Sequence, residues 1–241
     1  MESTPREEAL IALFPRLFHM CEADSWTAIR DHGLLSTSAL LDLYGIAGER
    51  RAALESRRRD RVVRIEADGL PGAVLRDQKP LTDAALTRCL SGGLTPRQWY
   101  EMLNARVFFW LSEARLAGLL AARSYRARPH AVLVLSTRSL IQRHRAAITL
   151  SPINSGAAVR RPQPRGPETF LPIADYPLDL WRAKRRAADS VVELCVERAV
   201  KDIAAHLLAV HRVEEGRATP LWRHPDTGTT GDLILRYPEA R

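Results

Sequence analysis

Residues 187–213 read AADSVVELCVERAVKDIAAHLLAVHRV, and the segment Val191-Val192-Glu193-Leu194-Cys195-Val196 inside it has the composition of a β-strand. Side chains alternate along a strand, so Val192, Leu194 and Val196 share one face and Val191, Glu193 and Cys195 the other. Glu193 is the only charge in that run. A carboxylate in an apolar strand is costly to bury unless it is paired or has chemical work to do. The competing reading is an edge strand with Glu193 in water.

Working outward, apolar segments at 17–21, 106–111, 131–135, 147–150 and 209–213 also read as strands. Helices are expected between them, at about 4–13, 38–44, 49–59, 83–90, 96–103, 112–122, 138–145 and 178–186. Thr4-Pro5-Arg6-Glu7 and Thr95-Pro96-Arg97-Gln98 are capping boxes that start two of these helices. Ser25 is expected to cap another, which ends at Gly33 in a left-handed turn. The strand 106–111, the helix after it and the strand 131–135 form a β–α–β unit. Residues 151–177 carry six of the fifteen prolines. A loop of that length in a compact domain is usually functional or disordered, and Asn154-Ser155-Gly156 opens it where backbone can approach a ligand. The expectation is one α+β domain over 1–213, followed by a mobile tail over 214–241.

The net charge is +8, and only residues 79, 184 and 201 among the 36 basic positions are Lys. Clustered guanidinium groups favour a polyanionic partner such as nucleic acid, although an Arg-rich composition can arise without any binding role. Cys21, Cys89 and Cys195 are scattered, which argues against a disulfide framework or a zinc site. His206 and His211 are five apart and read as structural, so no metal is expected. No stretch reaches the ~20 apolar residues of a membrane span, and no signal peptide is recognisable. A cytoplasmic protein without membrane contact is the expectation. Signatures of dinucleotide-binding Rossmann enzymes, P-loop ATPases, zincins and α/β-hydrolases are absent.

Three features carry candidate chemistry besides Glu193. His19 sits in a short strand just before a helix. Arg57-Arg58-Arg59-Asp60-Arg61 is dense positive charge, either a solvated face or a pyrophosphate clamp. Phe108 and Trp110 share a strand face that could line a pocket.

The stretch Phe18-His19-Met20-Cys21 through Ser25-Trp26 and Ile29 to Gly33-Leu34 resembles the opening F-H-I-T-x-x-x-N-L-x-x-I-x-x-x-G of the ADP-ribosyltransferases of DarT type, which modify DNA bases using NAD. Leu54-Glu55-Ser56-Arg57-Arg58 is similar to that family's I-x-x-R-R, and Asp77-Gln78-Lys79-Pro80 to its D-Y-V-P. Val192-Glu193-Leu194-Cys195-Val196, with Asp202-Ile203 after it, resembles its A-E-F-L-V strand and following helix. Together these span about residues 17–213 in the family's order. Cys21 stands where the family has Thr, Ser25 where it has Asn, and Leu81-Thr82-Asp83 lacks the family's aromatic DNA-contacting segment.

The resemblance implies a split mixed β-sheet core with flanking helices. It also implies NAD as co-substrate and transfer of ADP-ribose to an acceptor, with a DNA base as the expected target. Glu193 and Arg58 would be catalytic, and His19, Cys21, Ser25, Arg57 and Trp110 would bind NAD. His19 and Glu193 are expected on neighbouring strands facing one cleft, with Arg57 and Arg58 at its rim. A toxin-like role with an antitoxin or hydrolase partner goes with that family. Two other classes stay open: an NAD-dependent RNA 2′-phosphotransferase-like enzyme, and a non-enzymatic basic nucleic-acid binder.

Overall fold

A computed structural model describes residues 2–159 and 162–237. The chain opens with α1 (Pro5–Leu13), where the Thr4 hydroxyl accepts from the Glu7 amide and the Glu7 carboxylate accepts from the Thr4 amide. The capping box read from the sequence is therefore present. Next come β1 (Arg16–Glu22), α2 (Trp26–His32), β2 (Leu34–Leu35), α3 (Thr37–Leu43) and α4 (Gly48–Glu55). A hairpin of β3 (Val63–Ile65) and β4 (Ala73–Leu75) leads to α5 (Asp83–Thr87) and α6 (Pro96–Asn104), the latter started by the Thr95/Gln98 box. Then follow β5 (Arg106–Trp110), α7 (Glu113–Leu120), β6 (His130–Ser136), α8 (Thr137–His144) and β7 (Ile148–Ser151). The chain continues through β8 (Leu171–Pro172), α9 (Leu178–Lys184), β9 (Glu193–Glu197), β10 (Ala199–Val200), β11 (Leu207–Glu214) and β12 (Arg217–Arg223).

Eight strands make one sheet in the order β12-β11-β6-β1-β5-β9-β7-β8. The expected mixed sheet is corrected: among the described residues, every pair in this sheet is antiparallel. The β–α–β unit exists in split form. β5 and β6 both run antiparallel to β1, hence parallel to each other, with β1 between them.

Pairing around β1 is unequal. On one side seven residues, Arg16 to Glu22, are in register with Ser136 to His130 of β6. On the other, only Phe18 and Trp110 of β5 are partners, and the strands separate from there. The sheet forks at its centre.

Side-chain alternation gives the sheet two apolar faces. One carries Leu17, Cys21, Phe109, Leu133, Leu135, Leu194 and Val196, and it packs under Leu10 and Ile11 of α1 and Leu140 and Ile141 of α8. The other is divided. Phe18, Met20, Val132 and Val134 pack against Leu116 and Leu120 of α7. Cys195 instead packs with Leu81, Leu86, Trp99, Tyr100 and Phe170.

Three local expectations change. Helix α4 stops at Glu55, before the arginine run, because Arg59 folds back. Its amide donates to Gln78 Oε1 at 3.1 Å, and its carbonyl accepts from the Gln78 amide at 2.7 Å. Gly33 has φ 84° but ψ 170°, so it is not a left-handed helical cap. It is glycine for a second reason, since a Cβ there would lie 2.6 Å from Lys201 Cα. The stretch from 214, expected as a mobile tail, instead begins with β12, which pairs with β11 along its length. Beyond it Leu233 is buried and Leu235 and Tyr237 pack on the β1–β6 core, while residues 238–241 lie outside the described ones. No described helix is long and apolar enough to cross a membrane.

Candidate functional site

The fork opens into a cavity of about 500 Å³. That size falls within the range of small-molecule and cofactor sites. His19, Met20, Cys21 and Glu22 of β1 line it on one side, and Arg106, Val107, Phe108 and Trp110 of β5 on the other. Glu193 at the head of β9 closes its floor with Asn154, Ser155 and Gly156 of the proline-rich loop. Arg76, Asp77 and Gln78, which follow β4, and Tyr125, after α7, complete the wall used below.

Glu193 is buried, 4 % exposed. Register puts it opposite Trp110 on one side and Ser151 on the other, so it is not on an edge strand. The exposed-edge reading is corrected by that pairing. Both carboxylate oxygens accept from the Ser155 amide at 3.2 Å. Burial pushes the carboxyl up to about 7, against the lowering effect of Ser155, Arg165 and Arg115. The group therefore exchanges a proton near neutrality, as a general acid or base must.

The Ser155 loop is held from beneath. Arg165, 2 % exposed, donates to the carbonyls of Ser155 at 3.0 Å, Ala157 at 2.9 Å and Gln163 at 3.1 Å. Three of its five N–H groups are thus spent on loop carbonyls, and its charge also acts on Glu193. Asn154, Ser155 and Gly156 line the cavity, and Arg165 holds the loop behind them.

His19 donates through Nδ1 to the Phe108 carbonyl at 2.9 Å. A carbonyl oxygen only accepts, so Nδ1 carries the hydrogen. Burial lowers the imidazole to about 4, which keeps the ring neutral. Nε2 is then left as a lone-pair acceptor, suited to a hydroxyl donor. His19 and Glu193 are not on neighbouring strands, because β5 lies between β1 and β9. Alternation also sends them off opposite faces of the strands: Phe18, Trp110 and Glu193 are cross-strand partners, and His19 is one residue out of step. Both still border the same cavity, since the strands part beyond the Phe18–Trp110 pair.

The remaining expected residues divide. Cys21, Ser25 and Trp110 line the cavity. Cys21 Sγ points to the Ala131 carbonyl at 3.7 Å and burial pushes its thiol up to about 12, so it packs and does not attack. Ser25 makes no capping hydrogen bond, because it ends a 3₁₀ turn that runs straight into α2. Arg57 and Arg58 do not line the cavity. Arg57 turns to Glu49 at 2.7 Å on the exposed surface. Arg58 reaches the rim, donating to the Lys79 carbonyl at 3.3 Å between the lining residues Gln78 and Pro80. The third arginine of the run, Arg59, does line it, yet its guanidinium is committed to the Leu54 and Arg76 carbonyls and to Asn104.

The cavity arginine that the sequence did not single out is Arg76. Its guanidinium lies 4.4 Å over the Tyr125 ring and donates one bond, from Nη1 to the Met20 carbonyl at 3.3 Å. Nε and Nη2 are buried without hydrogen-bond partners among the described residues, and so is Glu22 Oε1, 3.8 Å from Nε. Each unsatisfied buried polar group costs about 1–3 kcal/mol. Arg76 thus brings positive charge to the cavity wall, partly answered by the Glu22 carboxylate.

The fold and site define an α+β protein with a forked antiparallel sheet, whose fork holds a buried, proton-exchanging carboxyl and an arginine with free donors. The chain belongs to a family of unknown function, DUF7002, whose model matches residues 15–207. The match takes in every cavity-lining residue and stops at the first residue of β11, before β12. No curated protein matches the chain.

Proposed function

We propose that the protein is an NAD-dependent ADP-ribosyltransferase that passes ADP-ribose to a nucleic acid, with a DNA base as acceptor. The observation that carries this reading is the buried Glu193 carboxyl, poised near pH 7 in the same cavity as a neutral His19 and the free donors of Arg76. The forked sheet agrees with the split core that the sequence resemblance implies, and the lining positions of His19, Cys21, Ser25 and Trp110 agree with its cofactor-binding residues.

The chain's own groups account for the chemistry as follows. The bond between nicotinamide and ribose breaks, and nicotinamide leaves with the bonding electrons. Ionised Glu193 stabilises the positive charge that develops on the ribose, and preorganised electrostatics of this kind is often the largest single catalytic contribution. The acceptor forms the new bond to the ribose carbon and gives up a proton, which Glu193 takes. His19 Nε2 accepts from a ribose hydroxyl. Arg76 takes the place expected of Arg57 and Arg58 in binding the pyrophosphate, with Arg58 left at the rim for the acceptor. The net charge of +8 favours a polyanionic acceptor.

The test is to incubate the protein with NAD labelled in its adenylate half and with separate pools of DNA, RNA and protein. Label entering DNA, with release of nicotinamide, is the expected result. Label in another pool would keep the transferase and change the acceptor. No label, together with an unchanged melting temperature in millimolar NAD, would leave the nucleic-acid binder as the better reading.

A further inference from the structure

Outside the cavity, three chemistry-bearing side chains meet. His144 ends α8, Asp202 precedes the 3₁₀ turn that leads to β11, and His206 is the last residue of that turn. One ligand atom from each lies within 4.8 Å of the others. Asp202 Oδ1 is 2.6 Å from His144 Nε2 and 3.5 Å from His206 Nε2. Asp202 Oδ2 faces the exposed Arg143 Nε at 3.4 Å, so one oxygen serves the two imidazoles.

His206 is 3 % exposed, and its Nδ1 sits 2.8 Å from Ser139 Oγ. That hydroxyl donates to the Ala205 carbonyl at 3.3 Å. Of the two contacts of the Ser139 hydroxyl the one to Nδ1 is the shorter, so Ser139 holds the ring by its Nδ1 edge. Nε2 is buried and makes no hydrogen bond among the described residues. Nε2 faces Asp202 Oδ1. At 3.5 Å the two are too far apart for a charge-assisted hydrogen bond, which runs about 2.7–2.9 Å. That spacing is close to the ~3.3 Å that separates ligands around a tetrahedral zinc with bonds of about 2.0 Å, whereas the 2.6 Å between His144 Nε2 and Asp202 Oδ1 is a hydrogen bond that an ion would replace, moving the two apart.

We propose that His144, Asp202 and His206 form a binding site for a divalent transition-metal ion of the zinc class. Two imidazoles and a carboxylate are a common donor set for such ions, and the part-exposed Asp202 side leaves a position for solvent. Ser139 orients His206 as an outer partner of a metal ligand does. The ion would tie α8 to the turn before β11. The neighbouring Lys201 is the residue against which cavity-lining Gly33 packs, so the tie also braces one wall of the cavity.

Chelator-stripped full-length protein, titrated with Zn²⁺ against a chromogenic competitor, tests this. One equivalent should bind per chain and raise the melting temperature. His144→Ala and Asp202→Asn should each weaken binding by at least ~10-fold, Ser139→Ala by up to ~10-fold, and His224→Ala not at all. Circular dichroism establishes that each variant is folded. Binding below one equivalent at micromolar Zn²⁺, or an affinity unchanged by both His144→Ala and Asp202→Asn, would overturn the site. Wild-type protein that binds no Zn²⁺ overturns the site even if a variant fails to fold.

Discussion

The two flanks of β1 are built from similar apolar residues and do different things. Toward β6, seven residues pair in register, and Ala131 to Leu135 are all inaccessible to solvent. Toward β5, pairing stops after Phe18 and Trp110, and the backbone beyond is spent on lining a cavity. On the closed flank the pairing of β1 with β6 runs the whole length of β1. The cavity wall on the open flank holds Arg76, Glu22 and the free nitrogen of His19, and buried ring nitrogens without a hydrogen-bond partner among the described residues also occur on the closed side, at His130 and His211. The difference teaches that one strand can anchor a packed core on one side and open a cavity on the other.

The largest effect should come from damaging the closed flank. Leu133 lies at the centre of β6 and is fully buried, so Leu133→Ala should cost about 4 kcal/mol in denaturant unfolding. A loss under about 1 kcal/mol would mean the closed flank is not where stability resides.

Glu193 sharpens the comparison because it should oppose stability where it serves chemistry. Its pKa is raised from 4.5 to about 7 in the fold. Its stabilising contribution is therefore complete below pH 4.5 and is lost as pH rises through 7. The change amounts to about 3 kcal/mol. Glu193→Gln does not titrate. Relative to wild type it should gain about that much stability between pH 4 and pH 8, read from the difference of two denaturation series. His19 has the opposite sense. Its pKa is lowered from 6.5 to about 4, so its contribution is full above 6.5 and lost as pH falls through 4. Between about pH 4.5 and 6.5 the two slopes oppose each other, and Glu193→Gln uncovers the rising one.

Smaller effects separate the arginines. Arg76→Gln should change stability little and reduce the NAD-induced melting shift by the equivalent of about 1 kcal/mol of binding. Arg57→Ala, which loses only an exposed pair with Glu49, should alter stability and NAD binding by less than about 0.5 kcal/mol. Equal effects at Arg57 and Arg76 would return the clamp to the charge run.

Much of this arrangement is legible in the chain. The two capping boxes, the Arg106–Trp110 strand, the apolar strand near Ala131–Leu135 and the single carboxylate within the run Val191–Val196 are local signals, and local signals survive folding. What escaped depends on distance in sequence. Arg57, Arg58 and Arg59 are indistinguishable as a run of charge; only the docking of residue 59 on residues 76–78 decides which one is buried. Arg76 gains its role by reaching Tyr125 and the Met20 carbonyl. His144 and Asp202 are 58 residues apart, so no spacing motif could have paired them. β12 was unreadable because RATPLWR contains Pro220 and lacks clean alternation. An edge strand tolerates both, and the register shift between Val210 and His211 falls where Pro220 pairs.

The central claim is that the carboxyl at the head of β9 acts on a substrate in the fork, and one measurement meets it directly. Transfer from labelled NAD is followed for wild type and Glu193→Gln at matched amounts of folded protein. The amide keeps the shape and the place beside Ser155 but cannot hold negative charge. Turnover should fall by about 10²–10³, equivalent to ~3–4 kcal/mol of lost transition-state stabilisation, while the NAD-induced melting shift changes far less. A Glu193→Gln variant as active as wild type per folded molecule would contradict the account.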